Sequence, residues 1–406
     1  MLEDCTRVQL RNLAKQYLPP SIGRTRRWIE EALGRIAWRK ALSDCQEEVL
    51  ELVHRHRDAR HVLVFAPSLK WDFELFQRPQ QLAVALARQG VLVFYMEPHA
   101  ARNYRILPMN DRLYRCEVPS AAFGRVKAPL VYILCWNREY LEGFNTPRLI
   151  YDYIDELTVF GGNQKQIARN HEGLLLSASL TMATADHLYR DAVTVRPDCL
   201  FCPNGVDYDH FAPSRKSGTA LPPAPLLPVV SAGKPIIGYY GALAHWFDYD
   251  LLKTVAAQRK DLSFVLIGPN WDNSFPGSRL SRLPNVTWLG SQPYSDLPEF
   301  LSCFDVATIP FLVNDVTHST SPLKLFEYMA GGKPVVVTAM HETMRYEGVL
   351  VANDAAEFSL KLDEALKLAS DPEYLAVIDR VARENTWNVR AASILEALDA
   401  GLRTKG

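Results

Sequence analysis

Apolar, β-branched runs alternate with helical patterns along most of the chain. Because neighbouring parallel strands need a crossover between them, this alternation predicts α/β domains whose parallel sheets are covered by helices. The first set of predicted strands comprises residues 61–68, 91–97, 130–136, 148–155 and 180–185. The second set comprises residues 234–241, 262–268, 285–290, 305–310, 333–338 and 348–352. Residues 78–90 carry the pattern of a helix that ends at Gly90.

The two sets of strands predict two doubly wound, Rossmann-like domains. Residues 214–233 between them are rich in Pro, Gly and Ser, which indicates an extended linker. We therefore expect an N-terminal domain at residues 59–213 and a C-terminal domain at residues 234–384. Ligands of such domains bind at the carboxyl ends of the strands, so the functional site is expected in the cleft between the domains.

Composition excludes several classes of function. The 406 residues have a net charge of −1, which gives no general attraction to nucleic acid. The seven cysteines are scattered, as in proteins of a reducing cytoplasm, and the single C-x-x-C at Cys199–Cys202 is a poor zinc site. The sequence has no apolar run long enough to span a bilayer and no signal-peptide pattern, so a cytoplasmic location is expected.

The near-neutral charge hides a basic N-terminal extension at residues 1–58. Residues 1–40 hold nine Lys or Arg against four acidic residues, a charge of +5, which leaves −6 for the remainder. Residues 26–42 predict a helix with one apolar face, formed by Trp28, Ile29, Ala32, Leu33 and Ile36. Such a helix can lie on an anionic membrane through residues 1–57, or it can dock on the first domain.

The segment from Thr317 to Val337 reads as a hydroxyl-rich loop, a helix, two glycines and a buried strand. Its loop carries Ser319, Thr320 and Ser321, followed by Pro322, a residue favoured at the start of a helix. The start of a helix attracts phosphate through its amide groups and dipole, and Lys324 adds a full positive charge. Glu327 can accept hydrogen bonds from hydroxyl groups. The segment therefore suits a nucleotide diphosphate that carries a sugar.

This helix and the PNGVD sequence at residues 203–207 resemble the GT-B glycosyltransferases, particularly the glycosyl transferases group 1 family. The family motif has two glutamates, and Glu327 matches the second, which holds the donor ribose. The first would fall at Ser319 and is absent. The form SPLKLFEYMAGGKPVV is similar to bacterial surface-polysaccharide transferases, including xanthan-type glucuronosyltransferases, in which the lysine that matches Lys324 contacts the diphosphate.

The resemblance implies the GT-B fold, in which a C-terminal helix, here residues 385–406, packs back on the first domain. It implies transfer of a sugar from a nucleotide diphosphate to a growing bacterial surface glycan, often lipid-linked, in the cytoplasm or on the inner face of the plasma membrane. No metal or other cofactor is expected. The chain departs from the family in its 242–248 loop, where the usual arginine and lysine are missing.

Further candidates lie at predicted strand ends. Gly241 lacks a side chain, so backbone can approach a phosphate there, and Tyr294 stands in a loop suited to the nucleobase. Asp155 matches the general base of the xanthan-type enzymes; the alternative is a helix cap. If the reaction retains configuration, the donor phosphate takes the proton and Asp155 only positions a group.

The loop after the first strand supplies the acceptor candidates Trp71, Asp72 and Arg78. Arg78 could instead form a salt bridge with Asp72 or Glu74. The D-x-D triplets at residues 207–209 and 248–250 are frequent by chance, so we assign no metal to them. Two alternatives to a transferase stay open. One is a non-hydrolysing nucleotide-sugar epimerase, and the other is a catalytically inactive scaffold with the same fold.

Overall fold

The computed structural model describes residues 23–98, 104–215 and 221–403, with side chains from residue 35 to residue 401. Its helices are α1 (Gly23–Arg55), α2 (Arg78–Arg88), α3 (Gln164–Ser177), α4 (Asp186–Val193), α5 (Tyr208–Phe211), α6 (Leu227–Ser231), α7 (Tyr249–Gln258), α8 (Ser274–Ser278), α9 (Leu297–Ser302), α10 (Asp315–His318), α11 (Leu323–Ala330), α12 (Ala355–Leu368), α13 (Pro372–Glu384) and α14 (Trp387–Arg403). None of these helices is both long and apolar enough to cross a membrane.

One sheet has eight strands in the order β3-β4-β2-β1-β5-β6-β7-β8. They are β1 (Val62–Phe65), β2 (Leu92–Met96), β3 (Arg105–Pro108), β4 (Leu113–Glu117), β5 (Leu130–Ile133), β6 (Arg148–Tyr153), β7 (Leu180–Ala183) and β8 (Leu200–Phe201). Strand β3 pairs antiparallel with β4, whereas β1 pairs parallel with β2 and β5. The strands β1, β2 and β5 are almost wholly buried, as expected of a sheet covered on both faces.

The second sheet has six strands in the order β11-β10-β9-β12-β13-β14, and its pairs are parallel. They are β9 (Ile236–Tyr240), β10 (Ser263–Ile267), β11 (Val286–Trp288), β12 (Val306–Ile309), β13 (Val335–Thr338) and β14 (Val349–Ala352). Each coincides with a strand predicted from the sequence. The prediction of two parallel-sheet α/β domains is therefore confirmed.

Two elements differ from the sequence expectations. The hairpin β3–β4 is not predicted, because its residues mix charged and apolar side chains without regular alternation. The extended chain expected at residues 214–233 is not found at residues 224–231, where a 3₁₀ turn at Ala224–Leu226 continues into α6. Burial of Leu226 and Val229 in the core explains this helical turn, since local composition does not reveal tertiary packing.

The chain divides into two compact units. The first contains residues 1–71, 83–152 and 167–179, and the second contains residues 72–82, 153–166 and 180–406. The domain boundaries given above stay predictions. In the first unit, the end of α1 is anchored by the buried Val49 and Leu52 and by a 2.8 Å hydrogen bond from Gln46 Nε2 to the Ala121 carbonyl. Trp28, Ile29, Ala32 and Leu33 of the predicted apolar face lie outside the residues whose side chains are described.

Candidate functional site

A cavity of about 230 Å³ lies within the second unit, at the carboxyl ends of β9 and β10 and at the start of α11. Its lining joins distant parts of the sequence: 74–77, 239–242, 267–269, 291–294 and 320–327. Parallel α/β sheets bind ligands at this edge, because the chain turns away there and leaves a crevice. Lys324 and Glu327, the two residues that the sequence singles out, both line this cavity.

The ammonium group of Lys324 lies close to two aromatic rings. Its Nζ lies 5.6 Å from the ring centre of Tyr239 and 5.0 Å from that of Phe311, both within cation–π range. Burial lowers the pKa of Lys324 to about 8, and the attraction of Glu327 opposes this decrease. Lys324 forms no ion pair with any carboxylate that the structure describes, so its charge is available to an anion.

Glu327 lies on the same helix, one turn after Lys324, and its side chain is 5% exposed. Burial raises the pKa of Glu327 to about 7, while Lys324 and the neighbouring Tyr240 phenol counteract the increase. A carboxyl group that is partly protonated near neutral pH can both accept and donate hydrogen bonds. Ligand hydroxyl groups are the partners that suit such a group in a buried position.

Two glycines shape the cavity wall. Gly241 follows β9 with a φ of +139°, and a Cβ atom built there would lie 2.7 Å from Lys324 Cε. Gly268 follows β10 with a φ of +136°, and its Cβ would lie 2.0 Å from the Gly241 carbonyl oxygen. L side chains rarely adopt this backbone conformation, and real Cβ atoms do not approach so closely. Glycine at position 241 therefore makes room for the side chain of Lys324.

The hydroxyl triplet ahead of α11 is already engaged within the protein. Ser319 Oγ donates to Glu156 Oε1 at 2.7 Å, and Thr320 Oγ1 donates to the Val316 carbonyl at 2.9 Å. Ser321 Oγ accepts from the backbone N–H of Asn204 at 3.2 Å, which leaves its own proton for another acceptor. No side chain caps the start of α11. The groups at the start of this helix that could bind an anion are thus Lys324, the first amides and the Ser321 hydroxyl.

Tyr294 lines the cavity, and its ring packs against other aromatic rings. The His210 ring stacks on it at 4.7 Å between centres, and the Phe76 ring lies 5.2 Å away. Its hydroxyl group accepts a 2.7 Å hydrogen bond from Gln81 Nε2.

Asp155 and its neighbour Glu156 follow β6 and are partly exposed. The short turn after them, Leu157–Val159, has Glu156 rather than Asp155 at its N-cap, and no side chain caps it. Asp155 therefore does not occupy the N-cap position of this turn. Glu156 is bonded to Ser319, so it adjoins the cavity lining at Thr320 and Ser321.

The acceptor candidates lie in different surroundings. Arg78 is 3% exposed, and its Nη1 donates to the Pro203 carbonyl at 3.2 Å and to Asn204 Oδ1 at 3.3 Å. Its guanidinium also lies 5.9 Å from the Trp387 ring centre, so in this conformation Arg78 does not reach solvent. Asp72 is exposed, and Trp71 packs edge-on against Tyr95 at 5.1 Å.

Sequence reasoning missed part of the cavity wall. Residues 74–77 line the cavity, and Glu74 Oε2 accepts a 2.9 Å hydrogen bond from Ser291 Oγ. Nothing in the local pattern of residues 74–77 shows that they adjoin a loop more than 200 positions later. Trp246 and Phe311 also line the cavity. Phe311 lies two residues after the end of β12, at the edge of the sheet where ligands bind, and that position is the signal that could have found it.

The two aspartates of the D-x-D triplet at residues 248–250 have local roles. The Asp248 side chain caps α7 by accepting from the Leu251 N–H, and Asp250 pairs with Lys253 at 2.6 Å. Among the residues that the structure describes, no group of three or more His, Cys, Asp or Glu is arranged to hold a metal ion.

Comparison with known proteins gives matches in sequence and in structure. Residues 234–367 match the family described as "Glycosyl transferases group 1". A putative teichuronic acid biosynthesis glycosyltransferase, TuaH of Bacillus subtilis (strain 168), is 28% identical over 202 residues. That alignment covers 48% of this chain and 49% of TuaH, so it spans about half the length of each protein.

Two solved structures are similar over most of the chain. Sucrose-phosphate synthase from Thermosynechococcus elongatus has a TM-score of 0.62 at 16% identity, covering 86% of this chain and 100% of that one. Anabaena HepE in complex with UDP and glucose has a TM-score of 0.55 at 16% identity, covering 84% of this chain and 99% of that one. At such identities the likeness shows the fold. The chain therefore has the GT-B fold, and its residues 234–367 match the family of the glycosyl transferases group 1.

Proposed function

We propose that the protein is a glycosyltransferase that moves a sugar from a nucleotide diphosphate to a growing bacterial surface glycan. The observation that carries this proposal is the half-buried ammonium group of Lys324 at the start of α11, which pairs with no carboxylate of the described residues. Sucrose-phosphate synthase and HepE share the fold, and HepE is seen with UDP and glucose. The likeness to a putative teichuronic acid glycosyltransferase supports a polysaccharide acceptor.

The chemistry follows from the charges of the cavity. When the bond between the anomeric carbon and the diphosphate breaks, negative charge builds up on the departing phosphate oxygen. The Lys324 ammonium and the first amides of α11 would stabilise that charge in a site where water competes little. Glu327 would hold nucleotide hydroxyl groups, and Gly241 lets the phosphate and Lys324 approach each other. The proposed base is Asp155, which would take the proton of the acceptor hydroxyl.

Isothermal titration with UDP, GDP and ADP tests the proposal. We expect one of these nucleotides to bind with a dissociation constant in the micromolar range, typical of enzyme substrates. Turnover of the matching nucleotide sugar in the absence of an acceptor would indicate an epimerase instead. Failure of all three nucleotides to bind would leave a scaffold as the better explanation.

Nucleotide binding should weaken as the pH rises. Lys324 has a pKa of about 8 and is charged below that pH, and the bound diphosphate favours the charged form. Ionisation of Glu327 near pH 7 adds a negative charge beside the phosphate site. We expect roughly tenfold weaker binding at about pH 9.5 than at about pH 7.

The Lys324→Arg variant is the matched control for this pH dependence. An arginine does not lose its proton in this range. Nucleotide binding by the variant should therefore weaken much less above about pH 8 than binding by the parent protein. An identical pH profile in the variant and in the parent protein would show that Lys324 is not the group that titrates.

We also propose that the N-terminal part of α1 contacts an anionic membrane, where a lipid-linked acceptor would reside. Ile36 is 62% exposed and Trp38 is 44% exposed, and the basic side chains of Arg35, Arg39 and Lys40 are exposed beside them. Apolar and basic groups together favour the surface of an anionic bilayer.

Vesicle sedimentation tests this contact. The protein should bind phosphatidylglycerol vesicles and lose most of that binding in the Ile36→Ser/Trp38→Ser variant. The Leu360→Ser variant is the control, because Leu360 is exposed on α12 in the second unit. Equal binding by all three proteins, or no binding to anionic vesicles, would contradict the proposal.

A further inference from the structure

Glu156 is a carboxylate whose position the structure fixes beside the cavity. Ser319 Oγ donates to its Oε1 at 2.7 Å, and Ser319 itself is 1% exposed. His187 Nε2 lies 3.5 Å from the same oxygen. The second oxygen, Oε2, has no hydrogen-bond partner among the described residues, and the side chain is 24% exposed. One oxygen is thus anchored, while the other is available to a ligand.

The loop that anchors Glu156 is part of the cavity wall. Ser319 is followed directly by Thr320 and Ser321, both of which line the cavity, and then by α11 with Lys324. A sugar joined to a diphosphate at Lys324 would therefore extend within reach of this loop. The carboxylate of Glu156 suits a sugar hydroxyl, which donates a hydrogen bond to an ionised oxygen.

The charges of the cavity also restrict which charge the transferred sugar can carry. Among the described residues that line it, Lys324 is the only basic one, whereas Glu74 and Glu327 are acidic. The diphosphate of a donor already carries more negative charge than Lys324 neutralises. A second carboxylate, on the sugar, would have no cation of the lining to pair with and would approach Glu156. Juxtaposed like charges disfavour binding.

From this geometry we infer that the transferred sugar is neutral and that Glu156 Oε2 accepts a hydrogen bond from one of its hydroxyl groups. The inference rests on the proposed function and adds a substrate class to it. It sets the chain apart from the glucuronosyltransferases that its donor helix resembles. Glu156 would contribute to the affinity for the sugar, whereas Lys324 would contribute to the affinity for the diphosphate.

Calorimetry with UDP, UDP-glucose and UDP-glucuronic acid tests the inference, because the two nucleotide sugars differ only in the group on carbon 5. We expect the wild-type protein to bind UDP-glucose at least about tenfold more tightly than UDP-glucuronic acid. In the Glu156→Gln variant, UDP should bind as before, UDP-glucose should bind several-fold more weakly, and the difference between the two sugars should shrink. The Ser319→Ala variant should show a smaller change of the same kind.

Glu396→Gln is the matched control, since Glu396 is an exposed carboxylate on α14 far from the lining residues in sequence. If the wild type selects GDP instead, GDP-mannose and GDP-mannuronic acid replace the uridine pair. Equal or tighter binding of the acidic sugar would overturn the inference, and so would a Glu156→Gln effect that is as large for the bare nucleotide. If the wild type binds no nucleotide, the proposed function itself is wrong and the inference falls with it.

Discussion

Replacing Lys324 with alanine is expected to weaken nucleotide diphosphate binding by roughly 100-fold, the largest functional effect that the structure predicts. The substitution removes the only basic side chain among the described residues that line the cavity. The folded protein should not become less stable, because the charged ammonium is poorly solvated where it lies, as its lowered pKa of about 8 shows. Calorimetric titration and thermal unfolding at about pH 7.5 measure the two quantities separately.

Lys253→Ala provides the control for this experiment. Lys253 lies on α7, is exposed and pairs with Asp250, outside the cavity lining. Its replacement should change neither nucleotide binding nor the melting temperature by a measurable amount. A Lys324→Ala protein that binds the nucleotide as tightly as the Lys253→Ala protein would refute the role assigned to Lys324.

Replacing Gly268 with alanine is expected to give the largest loss of stability, roughly 3 to 5 kcal/mol in the free energy of unfolding. The new Cβ would lie 2.0 Å from the Gly241 carbonyl oxygen and 2.7 Å from the Gly241 carbonyl carbon. These are backbone atoms, so the steric clash can be relieved only if the ends of the strands move. The φ of +136° adds strain of its own. Denaturant unfolding followed by circular dichroism measures the loss.

Gly277→Ala is the control, because a Cβ atom there meets no other atom within 4 Å. It should leave the free energy of unfolding within a few tenths of a kcal/mol of the parent value. The fraction of the Gly268→Ala protein that remains folded should also bind nucleotide poorly, since Gly241 would have to move away from Lys324. Equal stability of the two variants would mean that the strand ends do not pack as the structure describes.

The sequence predicts most of the fold because parallel strands buried on both faces are continuous apolar runs. The four inner strands of the second sheet, β9, β10, β12 and β13, are buried throughout, and each lies where the pattern places it. The hairpin β3–β4 gives no such signal, because it mixes charged residues with apolar ones in no regular pattern. The helical turn at Ala224–Leu226 depends on burial of its apolar residues, which composition alone does not reveal.

The sequence predicts less of the candidate site, for a physical reason. Lys324 and Glu327 stand one turn apart on one helix, so local sequence suffices to place them together. Residues 74–77 reach the same cavity through tertiary packing, which no local pattern records. The sequence offers Arg78 as an acceptor-binding group, but the side chain is buried and bonds to Pro203 and Asn204. The partner that Glu156 finds in Ser319 is likewise a contact across 163 positions.

A crystal structure of the protein with the nucleotide diphosphate that binds most tightly is the most direct test of the central claim. The account predicts that the diphosphate lies at the start of α11, within hydrogen-bond distance of Lys324 Nζ and close to Gly241. A nucleotide bound elsewhere, or a diphosphate whose oxygens make no contact with Lys324 or the first amides of α11, would contradict it.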